Sequence, residues 1–177
     1  IRTDLALESI NAAKISEGIT KTERGKAFKI TEINIAEDKH GEKIGKKKGK
    51  YITLEGSVFS CFSKDFREMC EEFSEELSQF VPDGKVLVVG LGNNDITPDA
   101  LGPQTASKIL ATRHLKEELK DEDDFLTSLR PVGVLASGVL GQTGIETAEL
   151  IDGLMEKIDP QAIIAVDALA CSCLLYT

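Results

Sequence analysis

VLVVGLGNNDITPDALGP, residues 86–103, begins with four consecutive apolar residues, Val86–Val89, and then breaks at Gly90-Leu91-Gly92. Polar residues follow, then Thr97-Pro98-Asp99 and the start of a helical pattern. A short β-branched run that ends in glycine and passes into a helix reads as a buried parallel strand, a loop and a crossover helix. In open α/β sheets, that loop lies where ligands bind, beyond the carboxyl end of the strand.

Downstream, the same grammar repeats. Residues 100–119 carry apolar positions at Leu101, Ile109, Leu110 and Leu115 and are expected to be helical. Residues 120–129, KDEDDFLTSL, read as a charged connector. Residues 131–135 form a second apolar run, followed by the Gly-rich ASGVLGQTG at 136–144. Residues 145–158 form an amphipathic helix that stops before Pro160. Residues 161–166, QAIIAV, make a third strand, with Asp167 at its carboxyl end. The β–α–β–α–β order across 85–167 calls for parallel strands joined by right-handed crossovers.

Upstream, the pattern differs. Leu5, Leu7 and Ile10 suit a short helix near the amino end. Phe28, Ile30, Ile33 and Ile35 roughly alternate with polar residues, and Tyr51–Glu55 resumes strand character. Between them lies EDKHGEKIGKKKGK, whose Lys46–Lys48 run reads as the solvated tip of a hairpin. Residues 26–56 are therefore expected to form an antiparallel β-ribbon. Residues 63–80 follow as a helix with Ser63 as its N-cap and Phe66, Met69, Cys70, Phe73, Leu77 and Phe80 on one face. The fold class is α/β: a three-layer sandwich around a mostly parallel sheet, with the ribbon inserted near the amino end. We expect the whole 177-residue chain to form one domain.

Composition narrows the function classes. The formal net charge is −9, which argues against nucleic acid as a partner, because such binding depends on neutralising phosphates. No apolar run approaches 18 residues, so no membrane span is expected, and the first residues lack a signal-peptide core. The four cysteines, Cys61, Cys70, Cys171 and Cys173, form no CxxC pair and read as reduced thiols. With only His40 and His114 to join them, no Cys/His metal cluster is expected, and no cofactor. Gly90-Leu91-Gly92 is not a dinucleotide fingerprint, since Asp95 stands where a third glycine is needed, and no GK[ST] follows it.

The chemistry sits in carboxylates. Asp99 follows the first strand beyond its loop, and Asp167 follows the third directly. If the strands are neighbours, both acids emerge on one sheet edge. Two carboxyl groups close together resist double ionisation and can divide the roles of general acid and general base on a bound water. Taken alone, Asp99 also fits a plain helix start, with the Thr97 hydroxyl as N-cap and Pro98 at the first helical position. Asp167, directly after an apolar strand, is expected to be partly buried. Asp95 is a third acid nearby, which the residues alone do not rank against Asp99. The glycines of 138–144 suit either a backbone-lined peptide groove or a tight turn.

GLGNNDITPDALGP, LASGVLGQTGIETAELI and AVDALA, in this order and spacing, together with RTDLALE at the amino end, closely resemble the germination protease family of spore-forming bacteria. The resemblance implies a fold like that of hydrogenase-maturation proteases. It also implies a cytoplasmic, spore-core endopeptidase that degrades small acid-soluble spore proteins, made as a zymogen and assembled as a tetramer. Catalysis would rest on Asp99 and Asp167, without metal, which ranks Asp99 above Asp95. The implied self-processing bond is Asp4–Leu5, so a chain carrying Asp4 is expected to be unprocessed. Family members continue well beyond DALA, so a chain reading DALACSCLLYT is expected to lack carboxyl-terminal strands. Two other readings stand beside this one: an inactive fragment that only associates, and a metal-dependent maturation-type protease.

Overall fold

The structure is a computed structural model that describes residues 5–13, 18–57, 62–115, 125 and 128–169. It divides into two compact units, the first made of the described residues up to Ser78 together with Leu169 and the second of Gln79–Ala168.

In the first unit, helix α1 (Ala6–Ala13) precedes a three-stranded antiparallel sheet of β1 (Ile19–Arg24), β2 (Lys29–Ile35) and β3 (Gly49–Glu55), in the order β1-β2-β3. The expected ribbon is therefore present, with one strand more than its apolar pattern announces. β1 reads ITKTER, is exposed beyond Ile19, and offers no alternation to detect. It exists because its backbone pairs with β2 in register, from Ile19 opposite Ile35 to Arg24 opposite Ile30. The β2–β3 connection is wound rather than open: α2 (Asp38–Gly41) runs into a 3-10 turn at Glu42–Ile44. Asp38 ties it down by accepting the Lys48 backbone N–H at 2.7 Å.

Leu7 and Ile10 of α1 pack with Ile33 and Ile35 of β2, flanked by Ile19, Ile44 and Tyr51. Helix α3 (Phe66–Ser78) is shorter than expected at both ends. Met69 is fully buried, whereas Phe73 and Leu77 of the same stripe are partly exposed, and Cys70, a free thiol, is only half-buried. The acidic face of α3 reaches into the structure instead. Glu76 is buried and pairs with Arg24, which also binds Glu32 at 2.8 Å. The Glu72 carboxylate accepts the backbone N–H groups of Lys26, Ala27 and Phe28 at 2.8, 2.9 and 2.8 Å.

The second unit is built on a three-stranded parallel sheet: β4 (Val86–Leu91), β5 (Val132–Gly138) and β6 (Ala162–Val166), in the order β5-β4-β6. The strand quoted at the outset, β4, is the central one, and its residues Val86–Gly90 are all buried. Successive side chains of β4 face opposite ways. Leu87 and Val89 pack with Ile158, flanked by Ile151 and Leu154, all from helix α6 (Thr147–Ile158). Gly90, on the other face, lies against Gly102 and Ala106 of helix α4 (Leu101–Lys108). This is the expected three-layer arrangement. The crossover through α4 leads from β4 to β5, and the one through α6 leads back past β4 to β6. Two crossovers of one hand running in opposite directions place their helices on opposite faces.

Two expectations change here. The helix expected over 100–119 ends at Lys108, because Ile109 is extended (φ −84°, ψ 132°). The chain then turns to the sheet, where the N–H groups of Thr112 and Arg113 both reach the Val132 carbonyl. The Gly-rich stretch 136–144 contains a single helical turn, α5 (Leu140–Thr143), closed by Gly144 at φ +70°. Helix α6 opens with a reciprocal cap between Glu146 and Glu149 and ends at Ile158, with Asp159 as its C-cap just before Pro160.

Candidate functional site

The candidate site lies at the carboxyl edge of the parallel sheet. Three loops converge there because the three strands run the same way. β4 and β6 are direct neighbours, with Gly90 opposite Val166. Asp167 thus leaves the sheet beside the point where β4 enters its loop.

Asp99 is brought to the same edge by the way α4 sits. A Cβ on Gly102 would stand 2.2 Å from the Leu91 carbonyl oxygen and 2.4 Å from that of Val166. Only glycine lets the start of the helix rest on the ends of β4 and β6 together. Asp99 ends a 3-10 turn, Thr97–Asp99, directly before that seat. The expected Thr97 cap is not made. Ile96 flanks the turn, no side chain caps it, and the Asp99 N–H closes it on the Ile96 carbonyl at 2.8 Å. The Asp99 carboxylate instead accepts the Asn93 backbone N–H at 2.7 Å. Gly92 (φ +111°) makes this approach possible, since a Cβ there would lie 2.2 Å from the Asp99 carbonyl oxygen.

Asp99 is half-buried, and Asp167 is exposed. The exposure of Asp167 departs from the expected partial burial. β6 is paired on one side only among the described residues, and the carboxylate turns back to accept its neighbour's N–H, from Ala168, at 2.8 Å. Asp4 lies outside the described residues. Leu5 is half-buried just ahead of α1, where its carbonyl accepts the N–H of Ser9.

The β5 loop supplies residues that sequence reasoning passed over. β4 and β5 are neighbours whose following helices lie on opposite faces, so their loops part and leave a crevice between them. Gln142 spans it. Its amide nitrogen lies 3.2 Å from Asn93 Oδ1 and 3.2 Å from Asp95 Oδ2. Asn93 Oδ1 also takes the Asp95 N–H at 2.9 Å. β5 bulges as it reaches this edge, pairing Gly138 rather than Ser137 with Leu91. Ser137, next to the bulge, shares a hydrogen bond of 2.9 Å with Thr147 at the head of α6. The loops also expose aliphatic side chains: Ile96, Leu101 and Leu140. A polar residue in a Gly-rich loop one turn long was the only sequence signal for Gln142.

Elsewhere, a cleft of about 270 Å³ in the first unit is lined by Lys26, Ala27 and the four glutamates Glu68, Glu71, Glu72 and Glu75. Its central carboxylate, Glu72, is already occupied by backbone donors. Among the described residues, no three or more His, Cys, Asp or Glu side chains are grouped to hold a metal ion. No helix there is long and apolar enough to cross a membrane.

Comparison with known proteins matches residues 3–175 to a family described as germination protease. The chain is 42% identical to a germination protease of Clostridium acetobutylicum, over 96% of this chain and 55% of that protein. It is also 42% identical to one of Caldanaerobacter subterraneus subsp. tengcongensis, over 96% of this chain and 54% of that protein. A third, of Priestia megaterium, is 40% identical over 96% of this chain and 50% of that protein. The chain thus spans about half the length of the curated relatives it matches.

Proposed function

The chain belongs to the germination protease family, and on that premise we propose that it carries the catalytic carboxylates of an endopeptidase that degrades small acid-soluble spore proteins in the spore core. The observation that carries this reading is the shared edge. Asp99 and Asp167 follow neighbouring parallel strands, and the Gly102 seat rests on the ends of both strands.

In the proposed reaction, a water molecule sits between the two carboxyl groups. One carboxylate takes its proton as it attacks the scissile carbonyl. The other, protonated, donates to the carbonyl oxygen; the first then passes the water's proton to the leaving amine, while the second recovers its own proton as the carbonyl re-forms. Two acids in this relation need no metal, serine or cysteine. The exposed Ile96, Leu101 and Leu140 would be covered by apolar side chains of an extended substrate. Such a substrate must arrive unfolded, because a peptide bond inside a folded domain cannot enter a crevice between loops. Self-processing at Asp4–Leu5 and tetrameric assembly belong to the same proposal and are compatible with family membership.

The test is cleavage of a spore-protein substrate by the 177-residue chain, by a version extended to the length of the relatives, and by Asp99→Asn and Asp167→Asn forms of each. Each substitution is expected to abolish cleavage while the far-UV circular dichroism stays unchanged. Full activity in either variant would falsify the two-aspartate mechanism. Activity confined to the extended version would make the 177-residue chain an associating fragment, and loss of activity in chelator would favour the metal-dependent reading.

A further inference from the structure

We infer that Gln142 is a positioning residue: its carboxamide latches the β5 loop to the β4 loop and thereby fixes the backbone donor that holds Asp99. The catalytic meaning of the latch rests on the two-aspartate reading; the latch itself does not.

The geometry is a chain of donors. α5 is a single turn between two glycines of positive φ, Gly138 and Gly144, both at +70°. The Gln142 backbone is pinned there by its own N–H to the Val139 carbonyl at 2.9 Å. Its side-chain NH2 has two hydrogens, and two acceptors stand at 3.2 Å, Asn93 Oδ1 and Asp95 Oδ2. The identity of the first acceptor is fixed independently. It also receives the Asp95 backbone N–H, so it must be oxygen, and Gln142 must present nitrogen to it. Asn93 then passes the constraint on through its backbone, whose N–H donates to Asp99 Oδ2 at 2.7 Å. The other backbone hydrogen bonds of this loop are local, from Ile96 N–H to the Asn93 carbonyl, from Asp99 N–H to the Ile96 carbonyl and from Ala100 N–H to the Thr97 carbonyl. They shape the loop without tying it to β5.

The latch explains Asp95. Its carboxylate stands beside the candidate pair but serves as an acceptor for Gln142. A neutral side chain with two donors is what one amide oxygen and one carboxylate require. Methionine has similar reach and no donor. Glutamate has the same shape, but when ionised it faces Asp95 with like charge. Because Gln142 and Asp95 are exposed, water competes for these bonds, and the expected effects are moderate.

Hydrogen exchange of the 177-residue chain tests the latch without reference to activity. In Gln142→Met, the protection factor of the Asn93 amide is expected to fall about tenfold, with that of Asp95 following, while Val88 and Val89 in β4 keep theirs. In Gln142→Glu, the loss at neutral pH is at least as large. Relative to wild type at the same pH, it shrinks below about pH 4, where a protonated glutamate again offers a donor. A side chain acting only as filler would make methionine harmless and the glutamate effect independent of pH. Unchanged Asn93 protection in both variants overturns the proposal. In a cleavage-competent preparation, Gln142→Met lowers kcat and leaves KM unchanged. If Asp99→Asn still cleaves, the proteolytic reading fails, while the latch stands or falls on the exchange data.

Discussion

Gly102→Ala is the substitution that most directly tests how the site is assembled. On propensity alone it should help, since alanine is about 1 kcal/mol better than glycine within a helix. The structure says otherwise. The added Cβ would lie 2.2 Å from the Leu91 carbonyl oxygen, 2.4 Å from that of Val166 and 2.5 Å from the Leu91 nitrogen. Ordinary carbon–oxygen contacts lie roughly an ångström further out. All three obstacles are backbone of the sheet, so no rotamer can relieve them. α4 must rise from the ends of β4 and β6 by about that ångström, losing a quarter to a half of the dispersion contact across the seam. Overpacking of this kind costs about 1–3 kcal/mol, and backbone obstacles push it to the upper end. Net of propensity, we expect a loss of about 2 kcal/mol, or roughly thirtyfold in the folding constant.

The assay is urea unfolding by far-UV circular dichroism, with exchange of the β4 amides assigning the loss to the second unit. Gly153→Ala is the internal control. It lies within α6 with nothing within 4 Å of the added methyl, and is expected to stabilise by about 0.5–1 kcal/mol. If Gly102→Ala proves as stable as wild type, α4 does not sit on the strand ends, and the shared edge of Asp99 and Asp167 loses its structural basis.

Two further outcomes concern the first unit. The Phe28 N–H, with those of Lys26 and Ala27, holds the Glu72 carboxyl below the usual carboxylate range against the opposing effect of desolvation. A carboxyl depressed on folding contributes stability above its unfolded pKa and loses it as pH falls through the folded value. Acid titration should therefore destabilise this unit below about pH 4, and Glu72→Gln should flatten that acid limb, as read by circular dichroism against pH. Arg24→Met withdraws the guanidinium from the buried Glu76; because Arg24 itself is partly exposed, the expected cost is about 1–3 kcal/mol rather than that of a fully buried pair. Adding Glu76→Met should recover most of it in urea unfolding, and failure to recover would mean that Arg24 acts through Glu32 instead.

The sequence by itself determined the parallel sheet. An apolar run bounded by Gly90, a second at 131–135 and a third at 161–166 each read as a strand, and the helical patterns between them require crossovers. It also put Asp99 and Asp167 after strand ends, since chain order alone fixes that. The motif match supplied the family. β1 escaped because its pairing is a backbone property, and ITKTER carries no apolar signal beyond Ile19. The early end of α4 escaped because apolar positions past Lys108 fit a helix as well as a turn toward Val132.

Only the tertiary structure decided which strands are neighbours, because the order β5-β4-β6 depends on long-range pairing that no local pattern records. It decided that Asp167 is exposed, since burial depends on what covers a strand end rather than on the residues preceding it. It also decided the place of Gln142, which is 49 positions from Asn93 and meets it only because two parallel strands bring their loops to one edge. A side chain's chemistry is written in its own residue, but its partners are set by the fold that brings distant residues together.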